Sequence, residues 1–268
     1  MVAPTLQDTA YFLGIYFVIY WIIFAAAYLL AYLAPRQTPR PKPGGSEQLL
    51  PSSRIVFANR MCSITHAIIA VYCFTNVVLV KLPDMNTSSR WFLPLDYLQE
   101  SDPTYHWVVP ILVAYAAADT VYMFIWEMDM IFVYHHLAVI IGVLPLHLCE
   151  HGWMMAVVAT VLAEFTNPLQ NTRQYAYDFG FDTINKVLYV PFMLIFTSFR
   201  GFIMPTVLID YFIFIFLESH SNDPSIQFSL SCMKLCWLIF AAGCLGSLIW
   251  LKDAVAEFVG SFKKAKIV

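Results

Sequence analysis

Two adjacent histidines, His135 and His136, interrupt a stretch that is otherwise apolar from Phe132 to Ile141. Glu127 and Asp129 precede it, and Pro145 and Glu150 follow it. An imidazole serves as base or nucleophile near neutral pH, and a neighbouring carboxylate fixes its tautomer and raises its basicity. Two such rings in an apolar run cost free energy unless each has a partner or a task. The candidate partners are the ionisable residues inside the other apolar runs: His66, Asp119 and Glu164, together with Arg60, Arg173 and Arg200. Converging on one cavity, such groups suit general-base or nucleophilic work. Dispersed, they would only tie helices together by hydrogen bonds. No metal site is expected, because adjacent histidines rarely ligate one ion together.

The elements that must position these groups follow from composition. Of 268 residues, 60% are hydrophobic and 12% charged, with a mean hydropathy of +0.67. Soluble domains carry about 25% charged residues, so an all-α polytopic membrane protein is expected. Nucleic-acid binding has no support, since no basic patch with interleaved aromatics is present. The six cysteines have no repeated metal-ligand spacing and read as packing residues.

Seven apolar runs long enough to span are predicted, at about 9–34, 56–82, 106–126, 130–149, 152–170, 187–217 and 228–251. The sixth is interrupted by Pro191, Arg200-Gly201 and Pro205, which predicts one kinked helix rather than two. Between the first two runs lies a Pro-rich basic linker from Pro35 to Ser46. With the N-terminus lumenal, Arg36, Arg40, Lys42, Arg54, Arg173, Lys186, Lys252, Lys263, Lys264 and Lys266 fall on the cytosolic side. Lys81 and Arg90 alone fall in the lumen, a strong positive-inside bias. The sequon Asn86-Thr87-Ser88 is then lumenal and the tail cytosolic. There Lys264-x-Lys266-x-x has the form of a dilysine signal read by coat proteins in retrieval to the endoplasmic reticulum; anionic headgroups are the alternative partner.

At about 1.5 Å per residue, His66, Asp119, His135, His136 and Glu164 all lie roughly 10–13 Å from the cytosolic face. Four helices thus place their ionisable residues in one layer. Arg60 and Arg173 lie near the rim and Arg200 deeper.

These residues, in this order, resemble the TLC-domain proteins, named for the translocating-chain-associated, longevity-assurance and ceroid-lipofuscinosis membrane proteins. The resemblance rests on Asn59-Arg60-x-x-Ser63-x-x-His66-Ala67, Ala114-Tyr115-x-x-x-Asp119 and Tyr134-His135-His136. It also rests on Glu164-x-x-Asn167-Pro168-x-x-Asn171-x-Arg173 and Phe199-Arg200. It divides the chain into a first helix and linker (1–53), a TLC domain (54–255) and a basic tail (256–268). It implies six helices bundled around a lipid-accommodating cavity.

In the ceramide synthase branch the histidine pair serves acyl transfer from acyl-CoA to a sphingoid amine. This chain has Ala163-Glu164-Phe165-Thr166-Asn167 where those synthases carry His-Asp-x-x-Asp, and it resembles the short TLC-domain branch instead. Two readings stand. In one, the protein is an acyltransferase of membrane lipid metabolism with no bound cofactor and acyl-CoA as co-substrate. His135 or His136 is then base or acyl carrier, Asp119 or Glu164 orients it, His66 assists, and the arginines meet CoA phosphates. In the other, the protein is a non-catalytic lipid-binding or cargo-handling protein using the same cavity.

Overall fold

The computed structural model describes residues 6–33, 53–81, 105–127, 130–147, 149 and 152–265. The linker after the first span, the sequon at Asn86 and Lys266 lie outside the described residues.

The described chain is helical. Helix α1 is Leu6–Leu30, α2 is Ser53–Lys81, and α3 is Tyr105–Tyr122, continued by a π turn at Met123–Glu127. Next come α4, Met130–His147, α5, Trp153–Glu164, and α6, Asn167–Asp178. Helix α7, Asp182–Phe196, runs through a π turn at Thr197–Ile203 into α8, Met204–Phe212, and a second π turn at Ile213–Leu217. The last helix, α9, is Pro224–Ala265. Five units are long and apolar enough to cross a bilayer: α1, α2, α3, the α7–α8 rod and α9; α4 adds a shorter apolar helix. The chain is an all-α polytopic membrane protein.

Local chemistry explains the irregular points. The sixth apolar run is one continuous rod, as Pro191 and Pro205 predict. Pro205 has no N–H and its ring crowds the carbonyl of Gly201, and the π turn at Thr197–Ile203 absorbs both. The fifth run, expected to continue to Gln170, instead breaks after Glu164. Pro168 cannot donate to the Glu164 carbonyl, so the helix restarts at Asn167 in a new, polar element. That element ends at Gly180, whose φ of 76° is left-handed. Phe181 N–H bonds to the Ala176 carbonyl (2.8 Å) and Gly180 N–H to that of Tyr177 (3.2 Å), the paired stop that left-handed glycine allows.

The helices close a ring. Helix α2 packs on α3, α3 on α4, α4 on α9, α9 on the rod, the rod on α5, and α5 back on α2. Helix α1 packs outside this ring against α2 and α3. At the end of the ring nearer Gly152 the core is solid: Val143, Leu146, Met154, Met155, Val157 and Met233 are fully buried. A second cluster built on Tyr20, Phe24, Ala58, Cys62 and Tyr122 fixes α1 to α2 and α3.

Candidate functional site

A cavity of about 460 Å³ lies within the ring, toward the end opposite the solid core. It collects six of the eight residues expected to carry chemistry: Arg60, Asp119, His135, His136, Glu164 and Arg200. They come from α2, α3, α4, α5 and the π turn of the rod.

Its centre is a histidine–carboxylate pair. His136 Nε2 stands 3.4 Å from Asp119 Oδ2, and both side chains are almost fully buried, at 8% and 5% exposure. The other carboxylate oxygen, Oδ1, lies 3.5 Å from the hydroxyl of Tyr20, whose single proton is shared with the nearer Asn59 Oδ1 at 2.9 Å. With Nε2 turned to the carboxylate, Nδ1 of His136 is buried and has no partner among the described residues. A proton held at Nε2 leaves a lone pair at Nδ1. The ring of His135 sits 5.6 Å from that of His136, centroid to centroid. His135 also lines the cavity but is exposed. Phe132, His135, His136 and Val139 all line it, at the spacing that sets one face of a helix.

A second polar network ties α2 to α6. Arg60 Nη1 donates to Asn171 Oδ1 (3.0 Å), and Asn171 Nδ2 donates to Ser63 Oγ (2.9 Å) and to the Asn167 carbonyl (3.0 Å). Tyr115 OH donates to Ser63 Oγ at 3.0 Å. The break at Pro168 makes this possible, because it turns the polar face of α6 over the cavity: Asn167, Gln170, Asn171, Gln174 and Tyr177 all line it. Asn167 Nδ2 holds Glu164 Oε2 at 2.8 Å.

Arg200 uses the end of α5. Terminal carbonyls of a helix have no partner within it, and Arg200 Nη2 donates to one of them, Ala163 O. Its Nη1 donates to Ser247 Oγ of α9 at 2.9 Å. Arg200 is 8% exposed, and its Nε has no partner among the described residues.

Two expected site residues lie apart. His66 stacks flat on Tyr115, with centroids 3.9 Å apart and planes at 6°, while Tyr115 meets His136 edge-on at 6.1 Å. His66 lines a separate apolar pocket of about 120 Å³ facing α1, not the main cavity. Arg173 lies over Tyr189 (4.2 Å) and Phe192 (5.5 Å), joining α6 to α7 outside the cavity. Sequence reasoning missed Tyr20, which lies outside the resembling region and looks like any other aromatic of a spanning helix. It also missed Gln170, Gln174 and Tyr177, although their spacing in a polar segment is the signal of a helix with one polar face.

A family model for the TLC domain matches residues 56–255. The chain belongs to the TLC-domain family. The matched region contains every cavity-lining residue named above, and Tyr20 of α1 lies outside it. Among curated proteins and solved structures nothing matches this TLC-domain chain.

Proposed function

We propose that this TLC-domain protein acts in membrane lipid metabolism as an acyltransferase, moving an acyl group from acyl-CoA to the amine of a sphingoid or similar lipid. The observation that carries the reading is the pairing of His136 with Asp119 beside His135 in a cavity of about 460 Å³ inside a membrane bundle. Asp119 holds the Nε2 proton of His136, and Nδ1 takes a proton from the attacking amine. The amine nitrogen bonds to the thioester carbon, the C–S bond breaks, and the CoA thiolate accepts a proton from the imidazolium. His135, the more exposed ring, is the one a thioester reaches first, so an acyl-imidazole on it is the two-step alternative.

Arg60, on the cavity wall beside α6, meets CoA phosphates by charge-assisted hydrogen bonds. Glu164, held by Asn167, and Arg200, held by Ser247, set the charge balance around the reacting centre. Arg173 steadies α6 against α7. The positive-inside bias and the Lys264-x-Lys266 tail support residence in the endoplasmic reticulum with the N-terminus lumenal and the mouth of the cavity cytosolic.

A second reading has one specific observation in its favour. Ala163-Glu164-Phe165-Thr166-Asn167 stands where ceramide synthases carry two further aspartates, which suits a cavity that holds a lipid without turning it over. Lipid profiles of cells expressing wild type, His136→Ala or no protein separate the two. The enzyme reading expects His136→Ala to reproduce the null profile in one acylated lipid class. A wild-type profile from His136→Ala, with normal protein levels, overturns it.

A further inference from the structure

The seam between α4 and α9 is closed at two levels and open between them. At one level Gly142 meets Ile239, where an added Cβ would come within 3.3 Å of the Ile239 side chain. At the other, Phe132 and Trp250 stack with centroids 6.3 Å apart and planes at 27°. Ile239, Gly243, Gly246 and Trp250 recur at the spacing of one helix face. In this antiparallel register Gly243 and Gly246 stand across from Val139 and His135. A Cβ on either glycine would meet no atom within 4 Å, so no side chain fills the seam there.

The cavity behind the seam is blind, and polar and apolar side chains share its lining. Its far end is blocked by the fully buried Val143, Leu146, Met154 and Val157, and its roof is the amide-rich face of α6. Two buried nitrogens of its lining residues, His136 Nδ1 and Arg200 Nε, have no partner among the described residues. The buried core at the far end closes the way inward to a long hydrocarbon chain. We propose that the α4–α9 seam is a lateral portal seating one hydrocarbon chain of a membrane amphiphile, whose polar end lies in the cavity. The proposal rests on the cavity being a lipid-headgroup chamber, as the proposed function requires, but not on turnover. Phe132 and Trp250 form its sill, and the two glycines leave open space above it.

The test uses the full chain in phosphatidylcholine nanodiscs with sphingosine carrying a mid-chain diazirine, and locates adducts by peptide mass spectrometry. Adducts are expected on Val139 and on the α9 segment from Ile239 to Trp250. They should fall by about fivefold or more in Gly243→Leu/Gly246→Leu, which fills open space without backbone strain. Phe132→Ala, which opens the sill, should raise them, and this covers the case of a double variant that fails to fold. Adducts spread evenly over lipid-facing α1 and the rod, or insensitive to all these substitutions, overturn the portal. So do adducts on Leu146 or Met154, which would mean an inward route. Seam adducts without acyl-CoA turnover remove only the acyltransferase reading, and turnover without seam adducts removes only the portal.

Discussion

Tyr20 of α1 reaches Asp119 of α3, its hydroxyl 3.5 Å from Oδ1, while Oδ2 of the same carboxylate faces His136 at 3.4 Å. A helix outside the matched domain therefore supports the pair at the centre of the cavity. Asp119 is held on both oxygens and cannot swing away from the imidazole without losing one of them.

Tyr20→Phe keeps the ring packed against Tyr115 and Trp21 and removes only the donor. Because the one phenolic proton is shared between Asn59 and Asp119, a loss of about 1 kcal/mol predicts acyl transfer about fivefold slower. The KM for acyl-CoA should hold, because the Tyr20 hydroxyl bonds to Asn59 and Asp119 while the Arg60 guanidinium bonds to Asn171. Steady-state kinetics in nanodiscs check the split. A rise in KM with unchanged kcat contradicts this role.

Asp119→Asn keeps the shape and removes the charge that fixes the His136 tautomer. The expected loss in kcat is about 10²–10⁴-fold, with melting temperature nearly unchanged because no bulk is lost. Thermal unfolding followed beside turnover separates this from a folding defect.

Arg200→Met removes the donor to Ala163 O and to Ser247 at once. It should destabilise by about 2–4 kcal/mol, and Ser247→Ala by about 1 kcal/mol. The double variant should cost less than the sum of the two, by about 1 kcal/mol, since both report one contact. Denaturation of the four proteins in mixed micelles gives the cycle.

Gly152 has φ 94°, and a Cβ there would sit 2.6 Å from Met233 Cγ. Gly152→Ala is expected to destabilise by about 1–3 kcal/mol. Gly246→Ala, in open space within α9, should be neutral or stabilising by about 0.5–1 kcal/mol. Equal melting temperatures for the two variants would contradict both assignments.

Arg60→Gln should raise the KM for acyl-CoA about tenfold and flatten its dependence on salt. Arg173→Gln should leave that KM near wild type, because its guanidinium rests on Tyr189 and Phe192. Titration of acyl-CoA at two ionic strengths measures both.

The bundle was legible because hydropathy alone marks spanning helices, and the depth of each ionisable residue follows from a fixed rise per residue. That arithmetic brought His66, His135, His136, Asp119 and Glu164 to one level, with Arg60 nearer the rim and Arg200 deeper, and all of these but His66 share the cavity. Depth says nothing about rotation around a helix axis. His66 lies at the right level yet turns to stack on Tyr115, and Arg173 turns toward α7. The break after Glu164 was hidden because Asn167-Pro168 follows an apolar run without a change in length that demands a stop. The role of Tyr20 was hidden for another reason: its partners lie 39 and 99 residues away, and one hydroxyl leaves no periodic trace.

Acyl transfer by the purified protein tests the central claim most directly. Full-length protein in nanodiscs receives labelled acyl-CoA and a sphingoid amine, and N-acylated product is followed with time. The account predicts product from wild type and a loss of about 10²-fold or more in His136→Ala of unchanged melting temperature. Product formed equally by wild type and His135→Ala/His136→Ala, or none from folded wild type with any lipid amine, would contradict it.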